Sequence, residues 1–274
     1  MKRVVTLQDI SCFGRCSCTV ALPVISAMGV ECAILPTAVL SAHTMFEGFT
    51  CLDLSDQISP IVRHWQTQGI EFDAVYTGYL ASEGQCGQAV DLIRSFRREG
   101  SLVVVDPAMA DRGKLYPGFG SQFPKAMAQV CAEADLVLPN LTEAALLTGS
   151  EYHESWTRHQ VEELLEKLLD LGPKTAMVTG YGGEEGLTGF MAMDSSGRIC
   201  SYSHPILPQT FHGTGDLFSS AVVGAMVQGK SLEQAGRLAA DFVYKCILRT
   251  AADPQGPWYG VEFEPLLGEL IKAM

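Results

Sequence analysis

The sequence predicts an α/β fold with a doubly wound, mainly parallel central sheet flanked by helices. Three observations carry this. From residue 4 to residue 179, short apolar runs alternate with segments of helical spacing, the sequence form of successive βαβ units. Polar side chains (Asp9, Asp106, Asn140, Glu143 and Thr179) stand at or just past the ends of those runs, where open α/β sheets bind ligands. No internal repeat or low-complexity linker interrupts the 274 residues, so 1–274 reads as a single domain.

The elements follow in order. Residues 4–7 are β-branched and apolar and form the first strand. A helix over 19–28 comes next, with Pro23 as a local irregularity, and 32–35 is the second strand. Within 54–68, Leu54, Ile58, Ile61, Val62 and Trp65 recur at helical spacing. A strand at 74–77, a helix at 85–98 and a strand at 102–106 follow, the last ending in the carboxylate of Asp106. Residues 125–132 read as helix, 136–139 as strand, 142–147 and 161–171 as helices, and 175–179 as strand. The texture then changes. Glycine-rich 180–189 leads into runs at 187–193 and 199–202 joined by Asp194-Ser195-Ser196-Gly197, a β-hairpin signal. Helices at 217–227, 232–249 and 263–274 complete the chain.

Composition limits what such a chain can do. Hydrophobic residues are 47% of the total and charged residues 18%, which suits buried strands under helices. The net charge of −12 repels phosphate backbones and argues against a nucleic-acid partner. A phosphorylated ligand would need metal ions and backbone amides to hold it. Met1-Lys2-Arg3-Val4-Val5 runs straight into a strand without the apolar core of a signal peptide, and no apolar run reaches membrane-spanning length. Nine scattered cysteines show no paired framework, so a reduced, cytoplasmic chain is expected. Cys12, Cys16 and Cys18 cluster locally, but a metal site would need a fourth ligand; they read as small loop residues.

The most informative segment is Phe211-His212-Gly213-Thr214-Gly215-Asp216 ahead of the apolar run to Val227. A glycine turn opening a helix presents unpaired N–H groups and the positive end of the helix dipole, an anion site. Asp216 opposes simple phosphate binding. The arrangement makes sense if the carboxylate faces a neutral hydroxyl while the amides face a phosphoryl group, as in a kinase acting on an alcohol. A glycine turn with Asp216 as an N-terminal helix residue is the plainer alternative.

Six segments in order resemble the ribokinase-like superfamily, and within it the pyridoxal/pyridoxamine kinases. They are Gln8-Asp9-Ile10-Ser11-Cys12-Phe13-Gly14, Thr37-Ala38-Val39-Leu40-Ser41-Ala42-His43-Thr44, Thr77-Gly78-Tyr79-Leu80-Ala81-Ser82, Val105-Asp106-Pro107-Ala108-Met109, Pro139-Asn140-Leu141-Thr142-Glu143 and Gly213-Thr214-Gly215-Asp216. The resemblance implies that Asp216 is the base facing the hydroxymethyl group of a vitamin B6 vitamer, with Gly213, Thr214 and Gly215 as the anion hole. Asn140 and Glu143, with Asp106 nearby, would organise Mg²⁺ and its waters around the phosphates of ATP. Asp9, Thr44 and Tyr79 would contact the substrate; Thr179 and His204, Pro205, Ile206 and Leu207 would contact the nucleotide. A homodimer and stimulation by a monovalent cation such as K⁺ are also implied.

The chain departs from that pattern at Asp9, where serine is frequent, at Leu40, often phenylalanine, and at Thr179, a lysine in one branch. Hydroxymethylpyrimidine, another flat heteroaromatic primary alcohol, is the nearest competing substrate. A non-catalytic member of the fold would need neither Asp216 nor Glu143. No Gly-x-x-x-x-Gly-Lys-Ser/Thr loop supports a P-loop kinase, and residues 9–18 supply only Gly14 toward a dinucleotide fingerprint. His43 and His212 lie near the inferred site; His64, His153 and His159 read as surface residues, and Trp65 as a core or dimer contact.

Overall fold

The computed structural model describes residues 1–274. In chain order the elements begin with β1 (Arg3–Ser11), α1 (Cys18–Ala27), β2 (Glu31–Leu40), β3 (Cys51–Asp53), α2 (Ser55–Thr67), β4 (Ala74–Thr77) and α3 (Glu83–Phe96). Next come β5 (Leu102–Val105), β6 (Ala110–Asp111), β7 (Lys114–Leu115), α4 (Phe123–Cys131), β8 (Leu136–Val137), α5 (Leu141–Thr148) and α6 (Arg158–Asp170). The last are β9 (Thr175–Thr179), β10 (Leu187–Asp194), β11 (Ile199–Pro205), α7 (Thr214–Val227), α8 (Leu232–Ala251), a 3₁₀ turn (Glu264–Leu266) and α9 (Leu267–Ala273). The architecture is α/β, a doubly wound and mainly parallel sheet flanked by helices. The chain divides into two units, Met1–Ala74 with Leu207–Met274, and Val75–Ile206.

In the first unit β1 pairs in parallel with β2, and β2 pairs antiparallel with β3. The apolar kernel at 4–7 is fully buried, but β1 runs four residues further because its polar residues find partners inside. Gln8 donates to Thr6 Oγ1 at 2.7 Å, and Ser11 donates to Asp9 at 2.8 Å. The β1–β2 register slips between Gln8 and Ile10, so the one irregularity of this ladder falls at Asp9. β2 is also longer than its apolar run at 32–35: Pro36 does not end it, and Ala38, Val39 and Leu40 pair with β3. β3 is exposed throughout, so no alternation marks it in the sequence. Helix α1 buries Val20, Val24 and Ile25, and α7 is buried from Leu217 to Ala225.

In the second unit the strands lie in the order β11-β10-β9-β8-β5-β4. β5–β8 and β8–β9 are parallel and β9–β10 is antiparallel; β10–β11 is antiparallel too, as the hairpin signal predicts. Val103, Val104, Val105, Met177, Val178 and Phe190 are fully buried. The parallel pairing carries Asp106, Asn140 and Thr179 to successive strand ends, and Asn140 and Thr179 make a parallel bridge. The small β6–β7 hairpin was not legible: four residues without alternation form it.

Candidate active site

In the first unit the site is built on the start of α7. Gly213 precedes the helix with φ 78° and ψ 3°. A Cβ there would overlap the carbonyl oxygen of Arg15, so only glycine allows both the left-handed conformation and the close approach. Thr214, Gly215 and Asp216 form the first turn, whose N–H groups have no partner within the helix. Thr214 Oγ1 donates to Phe211 O at 3.3 Å. Asp216 is half-buried. Desolvation raises its pKa to about 7, the backbone N–H of Ser17 pulls it down, and the charge of Asp9 pushes it up.

Asp9 lies at the end of β1 as the sequence implies and is 4% exposed. One carboxylate oxygen accepts from Ser17 Oγ at 2.5 Å and the other from Ser11 Oγ at 2.8 Å. Each oxygen thus accepts from one of this chain's own hydroxyls and keeps a further lone pair. Burial raises its pKa, against the two serine hydrogen bonds and His43.

His43 is buried with a defined tautomer. Its Nδ1 accepts from the Met45 N–H at 3.2 Å, so Nε2 carries the proton toward Tyr259 O at 2.9 Å. Burial holds its pKa down. The His212 ring packs 4.5 Å from it. Around this pair stand aromatic residues the sequence did not single out: Phe13 lies 4.8 Å from Tyr259 and 5.6 Å from Phe46, and Phe46 lies 4.7 Å from Trp258. Arg15 spans the ring of Tyr259 and bonds Glu264 at 2.8 Å. Residues so far apart in the chain share no periodicity that could have announced them. Thr44 lies exposed in the turn after His43.

In the second unit Tyr79 is half-buried beside Phe119, their rings 5.6 Å apart. Asp106 is 6% exposed, and its N–H donates to Thr77 O at 2.9 Å. Asn140 and Glu143 form a reciprocal cap on α5. Asn140 Oδ1 accepts from the Glu143 N–H at 3.0 Å, and its Nδ2 donates to Ala110 O at 2.8 Å. Glu143 is 2% exposed. Its Oε2 accepts from the Asn140 N–H at 2.9 Å, while Oε1 accepts from Met109 N–H at 3.0 Å and Ala110 N–H at 3.4 Å. Burial raises its pKa against these three donors. These bonds brace the β6 hairpin to α5. Thr179 Oγ1 approaches Pro139 O at 3.5 Å, His204 pairs with Thr188 in the hairpin, Pro205 ends β11, Ile206 is 54% exposed and Leu207 is half-buried. A cavity of about 270 Å³ lined by Arg158, Tyr181, Leu187 and Tyr202 contains none of the expected residues. Its cation is already bonded to Glu162 at 2.7 Å.

A glycine turn that presents a half-buried aspartate at a helix start fits a phosphotransferase. A family model described as phosphomethylpyrimidine kinase matches residues 21–257. The chain belongs to that family. Phosphomethylpyrimidine kinases of this kind fall in the ribokinase-like superfamily. A Bacteroides thetaiotaomicron protein provisionally named a phosphomethylpyrimidine kinase, crystallised with pyridoxal, is 36% identical at TM-score 0.93, covering 98% of this chain and 95% of that one. The pyridoxal kinase of Lactobacillus plantarum is 30% identical at TM-score 0.92, covering 99% and 97%. The pyridoxal kinase PdxY of Granulibacter bethesdensis is 26% identical over 259 residues, 90% of each chain.

Proposed function

We propose that this chain is an ATP-dependent kinase that phosphorylates the hydroxymethyl group of a vitamin B6 vitamer. The observation that carries the reading is that Asp216 and the free amides of one helix start share a single turn. Kinship with a 36% identical protein that binds pyridoxal supports the substrate class.

The mechanism follows from the residues. Asp216 accepts the hydroxyl proton late, as the oxygen attacks the terminal phosphorus. With its pKa raised to about 7, it is a stronger base than an exposed carboxylate and is still largely ionised in mildly alkaline solution. The amides of Gly213, Thr214 and Gly215 stabilise charge on the transferring phosphoryl oxygens. Thr44 and Tyr79 contact the pyridine ring; Thr179 and residues 204–207 contact the nucleotide. Bound with ATP, Mg²⁺ would neutralise phosphate charge, and Asp106 is the carboxylate this chain offers toward it, since Mg²⁺ needs few protein ligands. Asn140 and Glu143 shape that region through the α5 cap. The enzyme works as a homodimer in the cytoplasm and responds to K⁺. No helix is long and apolar enough to cross a membrane.

The family description supports a second reading, hydroxymethylpyrimidine as the acceptor. One ADP-release assay decides between them, run in KCl and in NaCl, with pyridoxal, pyridoxamine, pyridoxine and hydroxymethylpyrimidine. The vitamers are expected to lead in kcat/KM, and Asp216→Asn is expected to lose about 10²–10⁴ in kcat with ATP still bound. A hydroxymethylpyrimidine kcat/KM about tenfold above every vitamer selects the second reading. No turnover of any of the four removes both.

A further inference from the structure

We propose that His212 is a specificity-determining residue: its imidazole hydrogen-bonds the polar group that the acceptor ring carries beside its reactive hydroxymethyl. The inference rests on the reading of the acceptor as a vitamin B6 vitamer and of Asp216 as the base.

Two imidazoles lie side by side in the first unit, and they differ in what their nitrogens do. His43 is 1% exposed. Its Nδ1 accepts from the Met45 N–H at 3.2 Å, and its Nε2 donates to Tyr259 O at 2.9 Å. Its backbone N–H donates to Phe13 O at 3.1 Å, and Gly14 lies so close that a Cβ there would overlap the ring. Both ring nitrogens of His43 are spent, and the ring cannot turn to offer either to a ligand. The His212 ring is tilted 38° against it with centroids 4.5 Å apart. Neither nitrogen of His212 has a hydrogen-bond partner in the chain. His43 is thus a fixed wall that orients a second imidazole whose polar atoms are free. His212 as a residue stays exposed, although enough of the ring is covered that desolvation, with His43 beside it, holds its pKa down to about 4. Near neutral pH the ring therefore carries one N–H donor and one lone pair, and a change of tautomer exchanges them.

Its place in the chain says what those atoms can meet. His212 directly precedes Gly213, and Thr214 Oγ1 donates back to Phe211 O at 3.3 Å, so the turn is tied on both sides of it. A hydroxymethyl oxygen brought to Asp216 carries the neighbouring ring carbon to the same end of α7. The ring leans on His43, the chain neighbour of Thr44, and so faces the acceptor side of the turn. The vitamers differ at that neighbouring carbon: pyridoxal carries an aldehyde, pyridoxine a hydroxymethyl group and pyridoxamine an aminomethyl group. An aldehyde only accepts, an ammonium only donates, and a hydroxyl does both. A neutral imidazole answers each by its choice of tautomer, which a fixed donor or acceptor cannot do.

The test removes the group from the protein and from the acceptor in turn. Pyridoxine is compared with deoxypyridoxine, which has a methyl group on that carbon and lacks only the hydroxyl, in the parent, His212→Phe and His212→Asn. The parent is expected to favour pyridoxine in kcat/KM by about two- to tenfold, the worth of one neutral hydrogen bond. His212→Phe keeps a flat ring for the wall of His43 but no polar atom, and the preference should vanish. His212→Asn again offers a donor and an acceptor and should keep more of the preference than Phe. A ring that only seats the turn would change kcat/KM for both compounds together and leave their ratio alone. An unchanged ratio in His212→Phe, or a parent that does not distinguish the two compounds, overturns the proposal. Should His212→Phe fail to fold, His212→Ala against His212→Asn decides: equal ratios in those two overturn it as well. Asp216→Asn separates the two levels. If it keeps turnover the base reading falls; if it loses turnover while His212→Phe leaves the ratio unchanged, only the role of His212 falls. No turnover of either compound by the parent removes the vitamer reading and this inference with it.

Discussion

Asp216, the base proposed above, is a carboxylate whose ionised form opposes the fold. Desolvation lifts its pKa from 3.8 to about 7 in the folded chain. A carboxyl raised on folding binds its proton more tightly folded than unfolded. Its stabilising contribution is therefore full below the unfolded value and is lost as pH rises to the folded one, between about pH 4 and about pH 7. The loss is at most about 4 kcal/mol, and water at the half-exposed edge of the residue reduces it. Asp216→Asn carries no such loss. Urea midpoints of parent and variant should coincide near pH 4 and separate by pH 8 with the variant the more stable; a constant difference across that range would contradict the raised pKa. A variant that is more stable and inactive fits a site where function opposes stability. At this scale the sequence showed Asp216 and its glycines, because short-range chemistry marks them. It did not show that Asp9 accepts from Ser11 and Ser17, because burial of a side chain depends on what the rest of the chain places over it.

The elements separate two kinds of glycine at the start of α7. A Cβ on Gly213 meets the Arg15 carbonyl oxygen and a φ of 78°, whereas a Cβ on Gly215 meets nothing within 4 Å. The fold thus requires Gly213, and only a ligand can require Gly215. Gly213→Ala should lower the melting temperature and the activity together. Gly215→Ala should fold at least as well as the parent, since alanine favours a helix by up to about 1 kcal/mol, while losing kcat with ATP and vitamer as the phosphoryl group is kept from the amides. Full kcat in Gly215→Ala would take that amide out of the anion hole. The same scale explains the errors of element reading. The Asn140 to Glu143 motif was legible as a helix start, but its full engagement as a cap appears only once the Ala110 strand lies beside it. β3, β6 and β7 escaped because exposed or two-residue strands carry no alternation.

Across the whole molecule, the acidic composition leaves amides and a few strand-end side chains, rather than a basic surface, for the phosphorylated ligand proposed above. The nine cysteines are all free, and only Cys12 and Cys51 are exposed. Burial raises the pKa of Cys16, Cys18, Cys86, Cys131 and Cys246. A thiol reagent applied to the native chain should modify Cys12 and Cys51 first, read by peptide mass mapping, with the five buried thiols reacting only on unfolding. Early modification of Cys16 or Cys18 would show that the segment over Asp216 opens in the native state.

The sequence by itself determined the α/β class, the order of most strands and helices, the hairpin of the runs at 187–193 and 199–202 and the glycine turn with its aspartate. These rest on period, on β-branched runs and on turn chemistry, all of which act over a few residues. The tertiary structure alone decided which polar groups face one another. Ser17 reaches Asp9, Trp258 and Tyr259 return to Phe13 and Phe46, and Glu143 bonds Met109 and Ala110. The physical reason is that a buried hydrogen bond or ring contact is chosen by packing. Its partners are separated in the chain by distances that no local preference spans.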